Sequence, residues 1–173
     1  MMGVTVTAYF QLPGVSSIPP ECKWPNDILL NKKKVCGVLS EVEFRHNKLW
    51  GVIIGIGLNV NQSSFPPELE ATATSLAIDH HHKFERAKVL STILEKLEAW
   101  YEILQKGNVQ DIVAEWQTHS TMLGKEITIE QQGRTFRGIA KSLDTDGGLI
   151  LMRDNIEEKL FAGDVTILKE KIS

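Results

Sequence analysis

Long apolar runs are missing from this chain of 173 residues. The longest candidate, Leu49 to Val60, is broken by Gly51, Gly55 and Gly57, well short of the roughly 18 residues that suggest a membrane span. Met1 to Phe10 holds no basic segment followed by an apolar stretch, so no secretory signal is expected. A basic excess is missing too. The net charge of −3 disfavours a general nucleic-acid binder, and no helix-turn-helix pattern precedes the first motif, so no DNA partner is expected. Cysteine is scarce. Cys22 and Cys36 fall outside metal-ligand spacing and form no disulfide framework, which suits reduced thiols in a cytoplasmic protein.

What is present falls into three regimes of periodicity. From Cys22 to Asn59 the pattern is strand and turn, with Val35 to Phe44 rich in β-formers and Arg45-His46-Asn47-Lys48 as a polar turn. Leu49 to Leu58 follows as a nearly continuous apolar strand, the pattern of a strand covered on both faces. The small-residue run Ala71 to Ser75 belongs to a loop. Leu90, Ile93, Leu94, Leu97, Tyr101 and Leu104 then recur at helical spacing and predict one apolar face of a long helix. Gly107 stops it, and Asn108 is placed to cap a second helix running to about Ser120. Trp100, Tyr101 and Trp116 are expected in the core.

The third regime is five short strands, around Ile127 to Ile129, Arg134 to Ser142, Leu149 to Met152, Ile156 to Phe161 and Val165 to Leu168. Such a set predicts a small β-barrel, with a domain boundary near residue 121, giving units 1–121 and 122–173. Val4 to Phe10 has strand character of its own.

Three clusters carry candidate chemistry. Asp27 follows Trp24-Pro25-Asn26 on a rigid turn beside Lys23, where a carboxylate could bind magnesium, a hard cation. A plain connecting turn explains the same residues. Lys34 ends Lys32-Lys33-Lys34 immediately before a strand, where an ammonium can be held against phosphate oxygens. A solvated hairpin tip explains three lysines equally well. Gly55, Gly57 and Asn59 alternate along one strand face, leaving room for a flat ligand, and Asn59 offers the donor and acceptor that complement an adenine edge. Close packing against a helix is the alternative. A dinucleotide fingerprint is not, because the third glycine is missing. His80-His81-His82 fits a polar loop better than a metal site.

In order and spacing, Lys23-Trp24-Pro25-Asn26-Asp27, Lys34-Val35-Cys36-Gly37-Val38-Leu39 and Gly55-Ile56-Gly57-Leu58-Asn59-Val60-Asn61 closely resemble biotin–protein ligases. The resemblance continues through Ala73-Thr74-Ser75-Leu76 to the C-terminal strands. It implies an α/β partial catalytic domain followed by a small SH3-like β-barrel. It also implies an ATP-dependent ligase that forms biotinyl-AMP and transfers biotin to a lysine of a biotin carboxyl carrier domain. ATP, biotin and Mg2+ are the implied cofactors.

By motif match, Lys34, Lys23 and Asp27 would be catalytic, with Asp27 also the magnesium ligand. Lys34, Gly37, Gly55, Gly57, Asn59, Trp24 and Asn26 would bind the ligands. The family's upstream glycine- and arginine-rich loop has no counterpart in the first 21 residues. The expectation is therefore a C-terminal ligase part that alone forms no biotinyl-adenylate at appreciable rate, and a homodimer built on an open sheet edge. A non-catalytic remnant or an SH3-like interaction module is the alternative.

Overall fold

The computed structural model describes residue 15 and residues 19–167. The strand expected at Val4 to Phe10 lies outside these residues. The chain divides into two compact units, one built on Asn26–Leu97 and the other on Cys22–Pro25 with Glu98 onward.

The first unit is an antiparallel meander of β2 (Asp27–Leu30), β3 (Lys33–Arg45) and β4 (Lys48–Leu58), preceded in the chain by β1 (Glu21–Lys23). Both hairpins turn on two residues with positive φ, Asn31 at 48° with Lys32 at 64°, and His46 at 49° with Asn47 at 58°. That backbone matches the right-handed twist of the strands it joins, and Asn tolerates it well. The turns fix the register, pairing Leu30 with Lys33 and Arg45 with Lys48.

After a loop, α1 (Leu76–His80) begins at Ser75, whose Oγ accepts from the Ile78 N–H at 3.1 Å and donates to the Gln62 carbonyl at 2.6 Å. The cap satisfies a helix-end donor that would otherwise lack a partner. Ile28, Leu30, Val35, Cys36, Val38, Leu76, Phe84, Val89 and Ile93 are buried in this unit.

Two expectations need correction here. Leu49 to Leu58 forms a strand, but it is not covered on both faces. Leu49, Trp50, Val52 and Ile53 are exposed, as are Leu39, Val42 and Phe44 on β3. Strand β4 stands at the end of its sheet, so one whole edge and much of its apolar surface lack cover among the described residues. Helix α2 (Arg86–Gln105) also forms as its spacing predicts, yet its buried residues are Val89, Thr92 and Ile93. Leu90, Leu94, Tyr101 and Leu104 lie exposed. Spacing located the apolar stripe correctly; it carried no information about what packs there.

In the second unit α3 (Val109–Thr118) has Asn108 at its N-cap position without a side-chain cap bond, and Trp116 is buried as expected. Five strands follow: β5 (Glu126–Gln131), β6 (Arg134–Leu143), β7 (Leu149–Arg153), β8 (Ile156–Leu160) and β9 (Asp164–Ile167). They make an antiparallel sheet in the order β8-β7-β6-β5-β9, with Gln132 and Gly133 in a tight turn between β5 and β6. Among the described residues the end strands β8 and β9 are not paired with each other, so these strands do not close the expected barrel. Ile127, Ile129, Leu149 and Leu151 are fully buried, two apart on their strands, which is the period-two pattern of a one-sided core.

Candidate functional site

Asp27, Gly37 and Gly57 stand in one row across β2, β3 and β4, because Gly37 pairs with both of the others. The Lys34 ammonium lies across that row. Its Nζ is 2.5 Å from Asp27 Oδ1, a half-exposed cation on a largely buried carboxylate. Gly37 makes the approach feasible: a Cβ there would sit 3.2 Å from both Cε and Nζ of Lys34. Lysines 32 and 33 are not so held. Lys32 occupies the turn, and Lys33 Nζ donates to the Glu70 carbonyl at 2.8 Å.

Beside this pair is an open hollow of about 520 Å³, lined by Asn26, Gly37, Val38, Leu39, Gly55, Ile56 and Gly57. Three glycines make its floor bare backbone. Cβ atoms at Gly55 and Gly57 would meet little beyond the Leu39 and Gly37 carbonyl oxygens, at 3.8 and 3.7 Å. Such a surface admits a flat group closely. Asn26 borders it, and its carbonyl accepts from the Val38 N–H at 2.9 Å.

The backbone of Lys34 is fixed by a strand fragment from the loop before α1. Its N–H donates to the Thr72 carbonyl at 2.7 Å, and its carbonyl accepts from the Thr74 N–H at 2.9 Å. Asn59 joins the same fragment, donating from Nδ2 to the Thr74 carbonyl at 3.0 Å and accepting from Gln62 at 3.3 Å. One side-chain donor and one lone pair of Asn59 are thus engaged within the fold, leaving one of each.

The remaining candidates fall in the second unit. Trp24 is buried, and its indole N–H donates to the Gly147 carbonyl at 3.1 Å. Lys23 precedes it on β1, next to Cys22, whose N–H donates to the His119 carbonyl at 2.8 Å. The structure therefore brings together Lys34, Asp27, Asn26 and the three glycines. Asn59 is tied in through Thr74; Lys23 and Trp24 belong to the second unit.

Burial pushes the Cys22 and Cys36 thiols up to about 12, so both remain un-ionised and unreactive at neutral pH. His81 and His82 follow the end of α1, with the His82 ring centroid 4.3 Å from that of Phe84. Among the described residues no group of three or more His, Cys, Asp or Glu is arranged to hold a metal. Residues that sequence reasoning passed over are Thr74, Asp79 and Asn31. Their one sequence signal is Ser75 as a helix cap, which places the preceding loop against the sheet.

Comparison with known proteins adds the following. Residues 1–59 match the biotin/lipoate A/B protein ligase family, and residues 122–168 match the biotin protein ligase C-terminal domain. The bifunctional ligase/repressor BirA of Bacillus subtilis is 34% identical over 154 residues, covering 88% of this chain and 47% of BirA. The biotin–[acetyl-CoA-carboxylase] ligase of Mycobacterium tuberculosis is 33% identical over 158 residues, covering 88% of this chain and 56% of that ligase. The chain spans about half the length of the curated relatives it matches. Biotin protein ligase from Aquifex aeolicus in complex with biotin and ATP superimposes with a TM-score of 0.79 at 24% identity, covering 96% of this chain and 68% of that one. The mixed α/β fold is that of these ligase structures.

Proposed function

We propose, from the premise that this chain belongs to the biotin–protein ligase family, that it serves ATP-dependent activation of biotin to biotinyl-AMP and biotin transfer to a carrier-domain lysine. The observation that carries this reading is the Lys34 ammonium held over Gly37 at one side of a glycine-floored hollow. A flat ring can lie on bare backbone while an anionic group meets the cation. An adenylate has both parts. The relative solved with biotin and ATP supports these as the ligands.

In the chemistry, biotin's carboxylate attacks the α-phosphate and pyrophosphate leaves. Two anions must meet, so a fixed cation matters most where negative charge concentrates. Lys34 is assigned that role. Asp27 holds Lys34 in place until a ligand anion takes over the ammonium. Asn59, with its free donor and acceptor, is assigned to the adenine edge; Lys23 and Trp24 keep the roles that the motif match implies.

As a magnesium ligand Asp27 fits poorly in this arrangement, because an ammonium 2.5 Å away opposes a second cation. Magnesium would instead come with the nucleotide's phosphates and would supply charge neutralisation there. The SH3-like character of the C-terminal sheet, the boundary near residue 121 and a cytoplasmic location complete the reading; two buried free thiols suit a reducing compartment. No helix among the described residues is long and apolar enough to cross a membrane. A homodimer through the open edge of β4 is also proposed, on its exposed Trp50, Val52 and Ile53.

The test is calorimetric binding of the sulfamoyl analogue of biotinyl-adenylate, alongside biotin-dependent pyrophosphate release. Lys34→Ala is expected to weaken binding by about 100-fold, since it removes a charge-assisted contact, and Lys32→Ala by less than about twofold. Equal effects of the two substitutions would return Lys34 to a solvated hairpin tip. The non-catalytic alternative predicts analogue binding without pyrophosphate release at any carrier concentration.

A further inference from the structure

Asp79 lies outside the hollow, yet its carboxylate touches both flanks of Lys34. Oδ1 accepts from Asn31 Nδ2 at 2.5 Å, and Oδ2 accepts from the Thr74 hydroxyl. Asn31 belongs to the turn that delivers the chain into β3 three residues before Lys34. Thr74 belongs to the strand fragment on the other side, where its N–H meets the Lys34 carbonyl and its own carbonyl meets Asn59. Thr74 is buried, so its hydroxyl has no water to fall back on. One side chain on α1 thereby ties the turn, the fragment and both assigned ligand contacts into one network.

We propose that Asp79 is a positioning residue: it sets Lys34 and Asn59 in register for a nucleotide without touching it. This rests on the adenylate reading above. The two oxygens of Asp79 act as a staple across segments far apart in sequence. The turn at Asn31 and Lys32 is two residues long and exposed, and loops held by few contacts open readily. Without the staple, the fragment from Thr72 to Thr74 keeps its backbone bonds to Lys34 and its chain connection to α1 but loses its side-chain tie to the turn. Displacements well under 1 Å are enough to weaken a site built on one ammonium and one carboxamide.

Charge is not the requirement, and this separates positioning from electrostatics. An asparagine at 79 can still accept from Asn31 and can donate to the Thr74 hydroxyl oxygen, keeping both arms. Alanine keeps neither.

The experiment is calorimetric binding of the same sulfamoyl analogue to the full chain and its variants, with circular dichroism as a check on folding. Asp79→Ala should weaken binding about tenfold and Asp79→Asn by no more than about threefold, as expected for lost geometry rather than a lost contact. Asn31→Gly removes one arm while keeping the left-handed turn, and should fall between them. That variant decides the question should Asp79→Ala fail to fold. Amide exchange at Lys34 and Thr74 should quicken in Asp79→Ala alone. Binding by Asp79→Ala or Asn31→Gly equal to the parent would overturn the proposal, as would Asp79→Asn as weak as Asp79→Ala. A parent chain that does not bind the analogue fails the adenylate reading itself, and this inference with it.

Discussion

Strands β3 and β4 are closed at one end and open at the other. At the inner end Val35, Cys36 and Val38 are 3%, 1% and 5% exposed, and Leu76 and Phe84 are buried nearby in sequence order on α1 and its following loop. At the outer end Phe44, Leu49 and Trp50 are 66%, 63% and 64% exposed, although these residues are as apolar as the first set. Polar groups follow the same division. Inner ones include the largely buried Asp27 beside Lys34 and the part-buried Asn59–Thr74 bond, while at the outer tip Arg45 pairs with Glu43 at 3.1 Å and lies over Trp50 at 4.4 Å, all exposed. On the proposed reading one end of the ladder holds a ligand's charge, and the other carries exposed apolar surface of the kind that mediates association.

The largest effect expected from this contrast is on stability. Leu30 is completely buried, and Leu30→Ala should cost about 2–5 kcal/mol, the lost transfer free energy plus a cavity. Leu49→Ala, 63% exposed, should change stability by less than about 0.5 kcal/mol. Urea unfolding of the two variants makes the comparison. A costly Leu49→Ala would mean that the outer end is covered in solution.

That outcome leads to the second prediction. If β4 pairs with another copy, Trp50 is the anchor best suited to the interface, and Trp50→Ser should weaken association by about 2 kcal/mol. Sedimentation velocity across a concentration series reads the shift from dimer to monomer. A parent chain that stays monomeric at every concentration removes the homodimer, while an associated chain indifferent to Trp50→Ser places the contact elsewhere.

Much of the backbone was legible because its signals are local. His46-Asn47 and Gln132-Gly133 sit where two strands must reverse, and both pairs adopt the left-handed conformations that such turns require. The C-terminal strands follow from alternation, and α2 from its spacing. The cover of those elements was not legible. Leu90 and Leu94 obey the helical period as faithfully as Ile93 does, but only Ile93 finds a neighbour that buries it. The site divides the same way. Lys34, Asp27 and Gly37 lie within eleven residues on consecutive strands, so their meeting follows from one hairpin register. Asp79 meets Thr74 five residues away just before α1, but it meets Asn31 across 48 residues of chain, a contact that only tertiary folding creates. Trp24 shows the opposite error of locality: three residues from Asp27 in sequence, it is bonded to Gly147, 123 residues away.

The smallest predicted effect is also the most specific to the inner end. Gly37 is not in the left-handed region, so alanine there meets no backbone strain, and a Cβ suits a strand better than none. What the new atom meets is the end of Lys34, at 3.2 Å from Cε and Nζ, closer than side chains ordinarily rest. The flexible lysine can yield, but only by lifting its ammonium from the position over the strand. Gly37→Ala should therefore leave the melting temperature unchanged while weakening analogue binding about fivefold, a penalty of misplacement alone. Gly51→Ala, with nothing within 4 Å of its Cβ, is the matched control on the outer half of β4 and should alter neither. If the two alanines behave alike, bare backbone under Lys34 contributes nothing to the ligand, and the inner end differs from the outer only in burial.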